Sequence, residues 1–230
     1  MTYTIVARCG RTGRLGIGIA TYSLAVGGYC PHYRKDVGLI SSQAFVNPAL
    51  GEVALEGLAS GSSPEEVVAG LSKHDSNIEY RQVGIVTSLG DGACLTGSRT
   101  RNWAGHMIGG GVVAFGNALS GEAVLRAMMA EFEATLREDL AERLMRSIEA
   151  GRAAGGQSGE GGRRLNERSA AVVVKASASA PGIDLRIDVH YDAVTELRRA
   201  MDAYRPYVPY YEMRRTVPEN TPPQEQWPPR

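Results

Sequence analysis

The sequence predicts an α+β domain, and three observations carry that prediction. Two β-branched runs, residues 2–9 and 14–22, alternate along their length and are joined by the turn Gly10-Arg11-Thr12-Gly13, so they pair antiparallel. The longest helical pattern, residues 121–150, lies in mid-chain with strand patterns on both sides. The segments therefore run strands, helices, strands, helices, strands, helix, which is the order of separate α and β layers rather than of βαβ units.

Element by element, Ile17 and Ile19 face one way in the second strand while Gly16 and Gly18 leave its other face bare. Residues 25–31 read as a loop and 37–45 as a third strand. Asn47-Pro48 opens two short helices, 48–60 and 64–73. The second has Pro64 in its first turn behind the capping residues Ser62 and Ser63. Residues 80–87 form a strand, 89–92 a hairpin turn, 103–106 a further edge and 112–115 a short strand. In 121–150, Val124, Leu125, Met128, Phe132, Leu136, Leu140, Leu144 and Ile148 fall at three- and four-residue steps, with a break at 137–139. The glycine-rich stretch 151–162 predicts a mobile loop. Residues 169–176 and 183–189 read as strands and 193–204 as a helix. Asp184, Arg186 and Asp188 alternate on one strand face as an ion-pair ladder. Prolines 206, 209, 218, 222, 223, 228 and 229 argue against helix or central strand beyond Arg205. The expected organisation is one domain, 1–204, and a proline-rich tail, 205–230.

Composition excludes several classes. The chain has 230 residues, 25 basic and 25 acidic, so no global field attracts nucleic acid, and the pairs Arg163-Arg164, Arg198-Arg199 and Arg214-Arg215 are scattered among acids. No apolar run reaches the roughly 18 residues of a membrane span. The start of the chain lacks a basic segment followed by an apolar one, which predicts a cytoplasmic protein, mature from its first residues. Cys9, Cys30 and Cys94 form no CxxC pair, and His32, His74, His106 and His190 show no ligand spacing, so neither metal nor cofactor is expected. Gly16-Ile17-Gly18 sits inside a strand and lacks a third glycine, which argues against a dinucleotide site.

Nine phrases in order carry a family resemblance: TYTIVAR at 2–8, GRLGIGIATYSLAVGG at 13–28, VGLISSQAFVNPALG at 37–51, EYRQVGIV at 79–86, WAGH at 103–106, GNALSGEAV at 116–124, EAGRAAGG at 149–156, SAAVVV at 169–174 and DLRIDVHYDAVTELRR at 184–199. Over roughly residues 2–204 the chain resembles the DUF1028 family. That resemblance implies a four-layer αββα sandwich, like that of the N-terminal-nucleophile (Ntn) hydrolases, and supplies a fold better than a reaction. The chain departs from the family pattern at Gln157, where an aspartate is usual, at Arg168, where a glutamine is frequent, and by an insertion over 158–165. If that insertion lines the site, substrate preference differs from that of relatives.

An Ntn hydrolase uses its first mature residue twice: the side chain attacks a carbonyl and the α-amine, with a free pKa of about 8, takes the proton. Thr2 follows a single methionine, and a threonine that small permits methionine removal, which exposes a hydroxyl and an amine on one residue. Thr2 is thus the candidate nucleophile and base, against the plain reading of a strand-forming threonine. Thr4 shares its face and is the rival. Thr21, at the far end of the second strand, is the candidate for orienting the amine, with Ser23 the alternate. Gln43 is an amide in an apolar strand and either holds a loop or meets a ligand; Asn47 lies just beyond it. Asn117 suits an oxyanion hole or a helix cap, Arg81 a carboxylate clamp or a salt bridge, and His106 an acid–base or a structural role. The function this predicts is hydrolysis of an amide or related C–N bond of a small molecule. The competing expectation is a non-catalytic binding or assembly module, a homo-oligomer docked through Tyr204, Tyr207, Tyr210, Tyr211 and Trp227 of the tail.

Overall fold

The computed structural model describes residues 1–101, 103–176 and 182–227. In chain order the elements are β1 (Thr2–Arg8), β2 (Leu15–Thr21), α1 (Val26–Tyr29), β3 (Pro31–Arg34), β4 (Gly38–Ala44), α2 (Ala49–Ala59), α3 (Pro64–Gly70), β5 (Arg81–Thr87), β6 (Gly92–Thr96), β7 (Gly105–Gly109) and β8 (Val112–Asn117). Then follow α4 (Ala123–Ala134), α5 (Leu140–Ala153), β9 (Gln157–Ser158), β10 (Arg164–Leu165), β11 (Ser169–Val174), β12 (Ile183–Ile187), α6 (Ala193–Tyr204) and α7 (Val208–Thr216). This is a mixed α+β chain with antiparallel sheets.

A six-stranded sheet has the order β12-β11-β2-β1-β8-β7 and a four-stranded sheet the order β3-β4-β5-β6. The short turn after β1 sets the register of the central hairpin, Thr2 opposite Thr21 and Arg8 opposite Leu15. On its other side β1 pairs with β8, Thr2 opposite Asn117. Alternation along β1 then divides the core. Tyr3, Ile5 and Ala7 point to α4, α5 and α6, packing with Leu125, Met128, Leu144, Ile148 and Leu197. Val6, Ile17, Ile19, Val113 and Phe115 face the other way and meet Leu39 and Val86 of the four-stranded sheet. The far face of that sheet, Ile40, Val83 and Ile85, is covered by Leu50 and Leu55 of α2 and Val67 of α3. The bare face at Gly16 and Gly18 is what lets α5 sit down: a Cβ there would lie 2.7 Å from Leu144 and 2.9 Å from Ile148. α3 begins with the expected cap, a reciprocal box between Ser63 and Glu66 with Pro64 in the first turn.

Four expectations are corrected. The loop at 25–31 holds a one-turn helix, α1, and leads into the strand β3, which pairs with β4 through Pro31 opposite Ser41. Leu136, assigned to the apolar stripe, lies in the break between α4 and α5 and is 64% exposed. The glycine-rich stretch is ordered: α5 runs to Ala153, Gly155 and Gly156 turn the chain at φ 121° and 55°, and β9 pairs with β10. Glycine supplies a tight turn there, conformations that side chains resist, rather than looseness. The tail forms the helix α7, with Pro209 in its first turn, where a missing N–H costs no hydrogen bond. Its rings gather on one another, Tyr204 on Tyr211 and Tyr210 on Trp227. Pro228 and Pro229 lie outside the described residues.

Candidate functional site

The hairpin register delivers the two threonines at the open end of β1 and β2 to each other. Thr2 Oγ1 and Thr21 Oγ1 are 3.1 Å apart, and both residues are buried. The Thr21 hydroxyl donates to the Met1 carbonyl. It accepts the Ser23 N–H at 3.2 Å. A hydroxyl has one proton to give. Thr21 has given its own to Met1, so the proton between the two threonines belongs to Thr2, whose oxygen keeps its lone pairs. Ser23 is exposed and contributes its backbone to this group.

One turn of the alternation further, Thr4 starts a chain of amides that ties the two sheets together. Thr4 Oγ1 donates to Gln43 Oε1 at 2.6 Å, and Gln43 Nε2 donates to Gln82 Oε1 at 2.8 Å. Asn117 Nδ2 donates to the same Gln82 oxygen at 3.0 Å. The Gln82 amide nitrogen in turn reaches the Gly116 carbonyl at 2.9 Å, Thr96 Oγ1 at 3.0 Å and the Gly105 carbonyl at 3.1 Å. Gln43 sits opposite Gln82 in the β4–β5 register. Thr96 continues to His106 Nδ1 at 3.0 Å, on the exposed edge strand β7. Burial lowers the His106 pKa.

A cavity of about 210 Å³ opens beside this group, lined by Met1, Ser23, Ala44, Phe45, Arg101 and Asn117. A second, of about 480 Å³, is also lined by Met1 and Arg101 and includes Tyr22, Ala118 and Arg163. Two residues at these walls hold left-handed backbone without being glycine, Ala44 at φ 74° and Ala118 at φ 50°. Such strain persists only where surroundings over-determine it, and it gathers at functional sites. Burial, and then the positive charge of Arg101, lower the Met1 amine to about 6, with Cys30 acting weakly the other way. Burial pushes the Cys30 thiol up to about 12, so it is a neutral packing group.

Thr2, Thr4, Thr21, Gln43 and Asn117 are therefore brought together. Asn117 caps no helix: α4 begins at Ala123 with no side-chain cap. Asn47 and Arg81 turn instead onto Asp75, at 2.8 and 2.9 Å. Burial raises the Asp75 pKa, but bonds from Asn47, Arg81 and the Asn77 N–H outweigh it and hold the carboxyl below its ordinary range. Arg81 also donates to the Phe45 carbonyl, which makes it a brace behind the cavity wall. Two residues of the site carry no role in the sequence reading. Gln82, the hub of the amide chain, gives the same signal as Gln43, an amide in an apolar strand. Arg101 lies outside the strands and helices, where no periodicity marks it. Among the described residues no group of three or more His, Cys, Asp or Glu side chains is arranged to hold a metal ion, and no helix is long and apolar enough to cross a membrane.

A model described as a family of unknown function, DUF1028, matches residues 2–197. The crystal structure of a DUF1028 protein from Silicibacter pomeroyi superposes with a TM-score of 0.79 and 31% sequence identity, covering 88% of each chain. Anbu, an ancestral beta-subunit, from Yersinia bercovieri aligns with a TM-score of 0.37 and 9% identity over 87% of this chain and 93% of its own. No curated protein matches the chain. The resemblance read in the nine phrases thus holds over most of their length: the chain belongs to the DUF1028 family, a family of unknown function.

Proposed function

We propose that this protein is an N-terminal-nucleophile hydrolase built as a four-layer αββα sandwich, cleaving an amide or related C–N bond of a small molecule. The layer reading is supported by the three apolar clusters, helices against sheet, sheet against sheet, and sheet against helices. One observation carries the chemistry: Thr2 Oγ1 lies 3.1 Å from Thr21 Oγ1, and the residue before it lines two cavities. Cleavage of the Met1–Thr2 bond frees the Thr2 amine and removes a residue that lines both cavities.

The roles follow from hydrogen-bonding capacity. Thr21 donates to the Met1 carbonyl, the group joined to the Thr2 nitrogen, so after cleavage its hydroxyl stands beside the freed amine and orients it. That amine takes the proton of the Thr2 hydroxyl as the oxygen attacks a substrate carbonyl, passes it to the departing substrate nitrogen as the C–N bond breaks, and water then hydrolyses the ester left on Thr2. Asn117 gives one amide hydrogen to Gln82, and its second has no partner among the described residues, so it serves the developing oxyanion. Thr4, Gln43 and Gln82 hold Asn117 from behind.

Intact-mass measurement of the purified protein tests the reading, with the mass of a chain beginning at Thr2 expected. Thr2→Ala is expected to abolish turnover in a screen of small amides while leaving the melting temperature close to wild type. Retention of Met1 in folded, active protein overturns the mechanism, because no free amine then exists on Thr2.

A further inference from the structure

Beside the cavity at Met1 lies a third, of about 500 Å³, whose walls include Tyr22, Arg163, Arg164, Arg168 and His190. The two share the wall residues Tyr22, Arg163 and Leu165, so they adjoin and together make a trough that starts at Met1. Four guanidinium groups line it: Arg101, Arg163, Arg164 and Arg168. Among the described residues Glu160 is the one acidic residue on its walls. Several arginines elsewhere are ion-paired, Arg198 to Glu142 and Glu149, Arg186 to Asp184, Arg152 to Asp192, and Arg8, Arg11 and Arg143 donate to backbone carbonyls. The four in the trough make no ion pair among the described residues. Arg101 lies over the Phe45 ring at 5.4 Å and Arg168 over the Tyr22 ring at 5.1 Å, contacts that fix a guanidinium plane and leave its charge uncompensated.

The chain has no net charge, so this excess is local. Unpaired guanidinium groups around one concavity repel one another and attract an oxyanion, whose two oxygens match the guanidinium fork. His190 adds a donor: its Nδ1 accepts the Asp192 N–H at 3.1 Å, which leaves the proton on Nε2. Arg164 starts β10 and Arg163 immediately precedes it, in the β9–β10 hairpin.

We propose that the trough is an anion-binding subsite that takes a carboxylate or phosphate group of the substrate, and that the β9–β10 hairpin supplies its selectivity. The proposal rests on the reading of Thr2 as the reacting residue only for the direction in which substrate lies; the binding itself does not require chemistry.

Isothermal titration of the full chain with succinate, with inorganic phosphate and with neutral succinamide tests it. Succinate or phosphate is expected to bind, more weakly as salt rises, and succinamide is not. Binding of succinate alone assigns a carboxylate, of phosphate alone a phosphate group. The Arg163→Gln/Arg164→Gln double variant is expected to lose at least about tenfold in affinity, the scale of a charged hydrogen bond. Arg101→Gln, at the other end of the trough, gives a second route to the same loss if the double variant misfolds. Thr2→Ala is expected to bind as wild type does. Absence of binding by both anions, or binding that survives the arginine variants, overturns the proposal. Retained Met1 with intact anion binding overturns the hydrolase reading alone, and a chain beginning at Thr2 with no anion binding overturns the subsite alone.

Discussion

The seam between the two sheets changes character along a single strand. Toward Arg8 the gap is filled by Val6, Leu15, Ile17, Leu39, Val86 and Val113. Toward Thr2 the same face of β1 carries Thr4 and Thr2, and the residues around them are Thr21, Gln43, Gln82 and Asn117, all buried. The apolar end holds the sheets together by burial, without directional demands. The polar end must satisfy each amide and hydroxyl, because an unpaired buried polar atom costs about 1–3 kcal/mol. Packing alone explains the first end. The second is a worse way to join two sheets, which is why a functional reason has to be sought there and not at the other end.

Substitutions at the two ends should therefore fail differently. The largest expected loss is Phe115→Ala, which empties a fully buried ring position of the apolar cluster where it meets the polar end, opposite Thr4. Chemical denaturation should show about 3–5 kcal/mol of destabilisation. A loss under about 1 kcal/mol would mean the sheets are not packed through this ring. Gln82→Leu, close in volume, should lose about 2–3 kcal/mol, because Gln43 and Asn117 are left donating to nothing and the Gly116 carbonyl loses its donor. The sharper test is a cycle with Gln43→Leu. Removing both amides should cost less than the sum of the two single changes, since fewer orphaned groups remain. Strict additivity would break the claim that the polar end is one network.

How much of this was legible follows from where each signal sits. The meeting of Thr2 and Thr21 could be read because a tight turn between two alternating runs fixes register, and register fixes which side chains meet. Gln43 could be read because an amide in an apolar strand must have a partner, and Gln82, opposite it, carries the same signal beside the more conspicuous Arg81. Arg81 proved to belong to Asp75, a pairing between residues six apart that no strand or helix period announces. Arg101 and Ala44 reach the site through loop geometry, which leaves no periodic trace. The β9–β10 hairpin was hidden because its glycines were weighed as composition, whereas the anchor of that segment is Gln157, buried and accepting the Tyr22 N–H at 2.8 Å. The tail helix was hidden for a similar reason: prolines were counted, and position decides whether a proline breaks a helix or begins one.

The smallest expected effect probes the electrostatics of the polar end. Burial and Arg101, in that order, lower the Met1 amine from 8.0 to about 6. Both disfavour the charged form, one by removing water and one by repulsion. These influences act at the start of β1, so the proposal that Thr2 carries the terminal amine predicts a lowered pKa for that amine as well. Acylation of that amine by an amine-specific reagent, followed by mass across a pH series, should accordingly show a midpoint below 8. Arg101→Gln removes the repulsion and leaves the burial, so the midpoint should rise without reaching 8. A wild-type midpoint at 8 would mean the chain start is open to water, and an Arg101→Gln midpoint unchanged from wild type would mean that burial alone tunes the base.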